Sequence, residues 1–238
     1  MGRRLCALAD EDPRLEVAAR VDPTDPEAHA ALNDVSAQDV DVVIDFSIRA
    51  QVVPTATWCG DHGVPLVLGT TGLDVADEDA VQKAASRTPV LDAPNFSVGV
   101  NALFALAAQA ARMLDDGWDL EVVEAHHRRK VDAPSGTASR LVQVLADARR
   151  WDVEATRRPG RDGLVGARPS QEIGVHAVRG GDVVGEHTVF YLADGEEIRV
   201  SHRAQSRDIF VRGALRAARW IAGREPGRYG MQDVLAGG

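Results

Sequence analysis

Short apolar runs recur through the first two-fifths of the chain, at Leu15–Val21, Val40–Phe46, Val64–Leu68 and Val90–Leu91, with stretches of helical pattern between them. Each run is rich in Val, Ile or Leu and lacks polar alternation, as expected of a strand with helices on both faces. The rhythm implies a parallel sheet, and such sheets bind ligands at the carboxyl ends of their strands. Polar residues follow every run: Asp22, then Asp45-Phe46-Ser47, then Gly69-Thr70-Thr71-Gly72, then Ala93-Pro94-Asn95-Phe96. Any one of these is an ordinary turn, since Gly, Asn, Asp and Thr serve turns for backbone reasons. The four together point to a single binding edge.

The texture changes near Ser97, and 238 residues suit one large domain or two modest ones. A long apolar helix is predicted through Ala102–Met113, followed by a strand over Leu120–Ala125 that ends in His126. Further strands are predicted over Ile173–Val178, Glu186–Leu192 and Glu197–His202, the last two joined at Asp194-Gly195, a favourable hairpin pair. A final helix over Arg207–Ala222 is expected to stop at Gly223 in a left-handed cap. Arg157–Pro169, rich in Arg and Gly, reads as a mobile loop.

A formal charge of -9 repels phosphate backbones and anionic lipid, so neither nucleic acid nor membrane is an expected partner. The short cluster His126, His127, Arg128, Arg129 and Lys130 suits a small anion better than a duplex. Cys6 and Cys59 form no disulfide or zinc pattern, which fits a reducing cytoplasm. The apolar run after Met1-Gly2-Arg3-Arg4 meets Asp10, Glu11 and Asp12 at once, so export is not expected. Adjacent His126 and His127 face opposite ways on a strand, which argues against a shared metal. His176, His187 and His202 sit in strand patterns and read as core or network residues.

The chemical centre of the sequence runs from Glu124 to Ala138, a strand leading through a polar loop into a helix. Ala138, Leu141, Val142, Leu145 and Ala148 recur at helical spacing, placing Ser135, Gly136 and Thr137 at the helix start, where backbone N–H groups lack intrahelical partners. A carboxylate docked there gains hydrogen bonds and the helix dipole. Lys130 and the two histidines add positive charge, and histidine moves protons near neutrality. An exposed basic loop that merely caps a helix is the competing reading, Ser and Thr being ordinary N-caps.

The stretch E-A-H-H-R-x-K-x-D-A-P-S-G-T-A resembles the signature of dihydrodipicolinate reductases, now named for the 4-hydroxy-tetrahydrodipicolinate substrate. The resemblance extends to D-F-S, G-T-T-G, A-P-N-F-S-V-G-V-N, Gly181–Thr188 and Tyr229–Leu235. It implies an α/β chain: a Rossmann-like parallel-sheet domain for dinucleotide, residues 1–97 and 207–238, plus a second α+β domain with an open mixed sheet for substrate and oligomerisation, residues 98–206. Ser97–Asn101 would be the hinge. His126 and Lys130 would be the catalytic pair, Lys130 donating the proton, with His127 and the Ser135-Gly136-Thr137 turn holding the carboxylates of a dicarboxylate substrate and Asp132 orienting the loop. Gly69, Thr70, Thr71 and Ala93, Pro94, Asn95, Phe96 would line the nicotinamide and its ribose, and Asp22 the adenosine ribose. An acid at Asp22, followed by Pro23, favours NADH, or use of both NADH and NADPH, over strict NADPH. A homotetramer built on the strand-rich second half is also implied.

The chain departs from the family pattern at its start, where Met1-Gly2-Arg3 resembles only the end of a Gly-rich phosphate loop, so that about fifteen residues of strand and loop are expected upstream. Without them, weak dinucleotide binding is expected. Two alternatives therefore stand beside a working reductase: a regulatory or inactive binding protein on the same scaffold, and another two-domain amino-acid dehydrogenase.

Overall fold

In the computed structural model, which describes residues 1–237, the run Val64–Leu68 becomes the strand Leu66–Leu68, and all three of its residues are buried. The elements of the first part of the chain are α1 (Gly2–Ala9), β1 (Val43–Asp45), α2 (Val52–His62), β2 (Leu66–Leu68), α3 (Val75–Ala85) and β3 (Pro89–Asp92). Then come α4 (Val98–Met113), β4 (Asp119–His126), α5 (Gly136–Arg149), α6 (Val153–Thr156), β5 (Arg157–Pro159), β6 (Ile173–Arg179), β7 (Gly185–Ala193) and β8 (Glu196–Ala204). The chain closes with α7 (Asp208–Ile221), β9 (Gly227–Tyr229) and α8 (Met231–Ala236). Two units result, Met1–Val98 with the segment from Asp208 onward, and Gly99–Arg207. Each junction falls one residue later than the division read from the sequence.

In the first unit, four parallel strands lie in the order β1-β2-β3-β9. The pleat sends Leu66 and Leu68 against Val52, Ala56 and Val81 of α2 and α3, and Val67 and Leu91 against Leu5, Leu8, Ala214 and Ala218 of α1 and α7. Helices on both faces are why these strands carry no polar alternation.

Leu15–Val21 does not become a strand. Its one bridge joins Val21 to His29, and β1 ends the strand order among the described residues. Leu15 and Val17 still pack against the α1–α7 cluster. Apolar content reports burial, whereas a strand also needs a neighbour to share its N–H and C=O groups. Conversely, β9 has no apolar run and exists because Pro89–Leu91 pairs with it.

In the second unit, the sheet order is β5-β6-β4-β7-β8, with β4 parallel to β6 and antiparallel to β7. Leu120 and Val122, Ile173 and Val175, and Val189 and Tyr191 face α4 and α5 through Leu103, Phe104, Leu141 and Leu145. The β7–β8 hairpin turns at Gly195 (φ 87°), and Gly223 beyond α7 has φ 80°, the left-handed conformations expected of them.

Arg157–Pro169 is anchored rather than a free loop. Residues Arg157–Pro159 pair with β6, Arg161 donates to Glu121 and Glu172, and Arg168 reaches Asp119 Oδ1 at 2.6 Å and Glu121 Oε1 at 3.1 Å. Burial would raise the Glu121 carboxyl, but Arg161, His176 and Arg168 together bring it down to about 2. Arginine content reads as solvation in sequence, and two of the acids that consume it are remote in the chain, Glu121 lying 47 residues and Asp119 49 residues from Arg168.

Gly213 in α7 is set by packing: a Cβ there would stand 1.7 Å from the Phe96 carbonyl oxygen. Ala ordinarily stabilises a helix interior by about 1 kcal/mol relative to Gly. Here Gly213→Ala is expected to destabilise by about 1–3 kcal/mol or more, because backbone must move to admit the methyl group. Urea unfolding of the two proteins checks this, a gain in stability contradicting the contact.

Candidate active site

Glu124 continues the inward face of β4 beyond Leu120 and Val122, yet it is a fully buried carboxylate. Its Oε2 accepts from His126 Nδ1 at 2.6 Å and from Arg179 Nη1 at 2.7 Å. Its Oε1 accepts from the Ser135 backbone N–H at 2.9 Å and from Arg179 Nη2 at 2.7 Å. Burial pushes the Glu124 carboxyl up, but Arg179, His126 and the Ser135 amide outweigh it and hold the group below its usual value.

The loop from His126 to Ser135 is tied at several points. The His126 carbonyl accepts from Gly180 N–H at 3.0 Å, the Gly181 carbonyl from Arg128 N–H at 3.2 Å, and the Asp132 carbonyl from Arg179 Nη2 at 2.8 Å. Lys130 Nζ stands 2.8 Å from Asp132 Oδ1. The Lys130 ammonium draws the exposed Asp132 carboxyl below its ordinary value. Burial, then Arg129 and Arg207, push His127 down, and its Nδ1 is buried without a partner.

Ser135 is the N-cap of α5, its Oγ accepting from Ala138 N–H at 3.2 Å and meeting His187 Nε2 at 3.0 Å. Both its amide and its hydroxyl are thus engaged inside the protein, which makes it a scaffold for the helix start. Gly136 is exposed and Thr137 half-buried beyond it. His187 is buried, its ring 5.2 Å from that of His126 in an edge arrangement. Burial first, then His126, drive it down to about 4, so it is neutral.

In the first unit the carboxyl ends of β1 and β2 are organised by the buried Asp45. Its Oδ1 accepts from Ser47 N–H at 2.8 Å, Ser47 Oγ at 2.6 Å and Thr70 Oγ1 at 3.1 Å, and its carbonyl from Gly69 N–H at 2.8 Å. A Cβ at Gly69 would meet the Phe46 ring at 2.5 Å, so glycine is required beside that ring. Phe46 in turn packs on Phe96 at 5.3 Å between centroids. Phe96 is buried, whereas Pro94 is exposed and Asn95 half-buried. Thr71 is exposed, and Ala93 is buried with its N–H donated to the Leu68 carbonyl at 3.2 Å. Asp22 is exposed, Oδ1 accepting from Thr24 N–H and Oγ1, which lower its carboxyl.

Known sequences match nearly the whole chain. The family model for the N-terminus of dihydrodipicolinate reductase matches residues 1–96, and that for the C-terminus matches residues 99–235. The chain belongs to the dihydrodipicolinate reductase family. The 4-hydroxy-tetrahydrodipicolinate reductase of Myxococcus xanthus is 50% identical over 221 residues, 92% of this chain and 81% of that protein. That of Thiobacillus denitrificans is 50% identical over 194 residues, 82% of this chain and 73% of that one. A dipicolinate-bound dihydrodipicolinate reductase from Paenisporosarcina sp. TG-14 shares the fold, with a TM-score of 0.81 at 22% identity, covering 98% of this chain and 94% of that one. A myo-inositol dehydrogenase from Corynebacterium glutamicum is more distant in fold, with a TM-score of 0.55 at 16% identity, covering 99% and 89%.

The structure thus gathers, around the loop that carries the dihydrodipicolinate reductase signature, two residues to which sequence reasoning gave no role, Glu124 and Arg179, together with His187, which that reasoning read as a core or network residue. Glu124 could have been found, since a charged residue on the buried phase of an apolar strand demands a partner. Arg179 carries no such local sign. Among the described residues no group of three His, Cys, Asp or Glu could hold a metal.

The neutral state of His187 has a consequence for stability. Below pH 6.5 the unfolded chain protonates this histidine while the folded chain refuses the proton until about pH 4. Stability therefore falls as pH falls through that window, by up to about 3 kcal/mol, with His202, also lowered by burial, acting in the same sense. Unfolding free energies measured from pH 7 to pH 4.5 should show this slope, and His187→Gln should flatten it; an equal slope in both would refute the assignment.

Proposed function

We propose that this chain reduces 4-hydroxy-tetrahydrodipicolinate to tetrahydrodipicolinate with loss of water, in lysine and diaminopimelate biosynthesis. Family membership over both halves supports the reading, and the observation that carries it is the basic His126–Lys130 loop beside the start of α5. It favours a working reductase over an inactive scaffold, because the acid–base groups are all present.

The residues fit a dinucleotide. The parallel strand ends present Thr70, Thr71 and Asn95, and the exposed Asp22 offers carboxylate oxygen to a ribose diol. α1 opens without an acidic residue in its first turn, leaving the positive end of its dipole for phosphate. NADH or NADPH, when bound, supplies the hydride. The unit of residues 1–98 and 208–238 takes the dinucleotide role and residues 99–207 the substrate role.

In the substrate unit, Lys130, ion-paired with Asp132, donates the proton that departs with the substrate hydroxyl as water, and His126 assists in proton transfer. His127 and the first turn of α5, at Gly136 and Thr137, receive the two carboxylates, while Ser135 aims that turn. A homotetramer fits the open edge of β8, nine residues long and largely exposed, which pairing with a neighbour would cover. A cytoplasmic setting fits two free cysteines and the absence, among the described residues, of a helix long and apolar enough to cross a membrane.

Lys130→Ala and His126→Ala should each lower kcat by about 10²–10⁴-fold, followed as NADH consumption with the substrate. Thr137→Val should instead raise KM, because its contact is made before the transition state. Unchanged kcat in both alanine variants would reject the catalytic assignment. Sedimentation at micromolar concentration should give a tetramer, a stable monomer contradicting the edge pairing.

A further inference from the structure

We infer that Glu124 is a positioning residue that fixes the tautomer of His126, with Arg179 holding Glu124 in the ionised form this requires. The inference deepens the reductase reading and rests on it. An ionised carboxylate only accepts hydrogen bonds. Oε2 stands 2.6 Å from His126 Nδ1, so Nδ1 carries the ring proton and Nε2 is left as the working atom. Nothing in the strand itself would choose this tautomer.

Glu124 stays ionised in a buried setting because four donors use its lone pairs, two of them the parallel Nη groups of Arg179. The same carboxylate receives the Ser135 N–H, so one group sets both the imidazole and the entry to α5. Gly185 completes the arrangement. A Cβ at that position would stand 3.1 Å from His126 Nε2, so the lack of a side chain there leaves that nitrogen uncrowded. The ring of His126 is otherwise held by His187, whose own Nε2 is turned to Ser135 Oγ at 3.0 Å.

Glu124→Gln separates this role from mere support. The amide has one acceptor oxygen and one NH₂. Facing the oxygen toward Ser135 N–H and Arg179 Nη2 keeps those two bonds and sets the NH₂ against Arg179 Nη1 and His126 Nδ1, of which the histidine can change tautomer; the opposite orientation opposes two donors that cannot change, Ser135 N–H and Arg179 Nη2. The first orientation therefore prevails, and it forces Nδ1 to become an acceptor and Nε2 to carry the proton. In the neutral ring Nε2 can then no longer accept a proton. Inverting the tautomer of a catalytic histidine by a carboxylate-to-amide change costs on the order of 10⁴-fold in the serine-protease triad.

The test uses the full chain with ¹⁵N-labelled histidine. Long-range ¹H–¹⁵N spectra of the neutral His126 ring should show Nδ1–H in the parent protein and Nε2–H in Glu124→Gln. kcat for the variant should fall by about 10²–10⁴-fold while KM for substrate stays within about threefold, since the helix-start bond survives. An unchanged tautomer in the variant, or an inverted tautomer with undiminished kcat, would overturn the inference. If Glu124→Gln does not fold, the parent spectrum decides, an Nε2–H tautomer overturning the inference and an Nδ1–H tautomer supporting it. A parent protein that turns over no substrate with NADH or NADPH would overturn the reductase reading instead, whatever the spectra show.

Discussion

A carboxylate buried without exposure is tolerated only when its charge is matched and its lone pairs are used, and Glu124 meets both demands through Arg179, His126 and the Ser135 amide. Removing one partner from such a pair typically costs about 3–5 kcal/mol, because the remaining charge stays buried. The interaction joins the end of β4 to the end of β6 and to the first turn of α5. The tethers on the Asp132, His126 and Gly181 carbonyls then shape the basic loop between them. The shape of the loop thus depends on a charge buried away from solvent.

Asp45 does comparable work in the other unit on a smaller scale. A single buried oxygen gathers Ser47 and Thr70, and the carbonyl of the same residue takes Gly69 N–H, so two strand-end loops are tied together. The loop after β3 is held instead by packing: Phe96 against Phe46, and Gly213 against the Phe96 carbonyl. Parallel strands leave their loops on one edge, and a few buried acceptors and close backbone contacts suffice to organise that edge.

Charge is distributed against the global balance. The chain carries -9 in total, yet positive groups concentrate from His126 to Lys130 and at Arg179, while Glu121 and Glu124 are consumed by arginines. A local cationic surface on an anionic protein selects small dianions over polyanions, because the long-range field repels the latter and short-range contacts hold the former.

Much of this was already determined by the sequence. Apolar runs without alternation defined the parallel strands Leu66–Leu68 and Pro89–Asp92, the pair Asp194-Gly195 defined a hairpin, and helical spacing after Ser135 located the start of α5. The signature from Glu124 to Ala138 identified the family and the basic loop. These are local properties, set by backbone propensity and by the period of burial within a few residues. Only the tertiary structure decided that Leu15–Val21 forms no strand, that Gly227–Tyr229 is a strand, that Phe96 is buried, and that Arg161 and Arg168 anchor their loop. It likewise decided the partners of Glu124 and Ser135, since Arg179 lies 55 residues from the first and His187 lies 52 residues from the second. A strand needs a neighbour and a buried charge needs a counter-charge, and in a sheet whose strand order departs from chain order, both are supplied by residues that sequence proximity does not reveal.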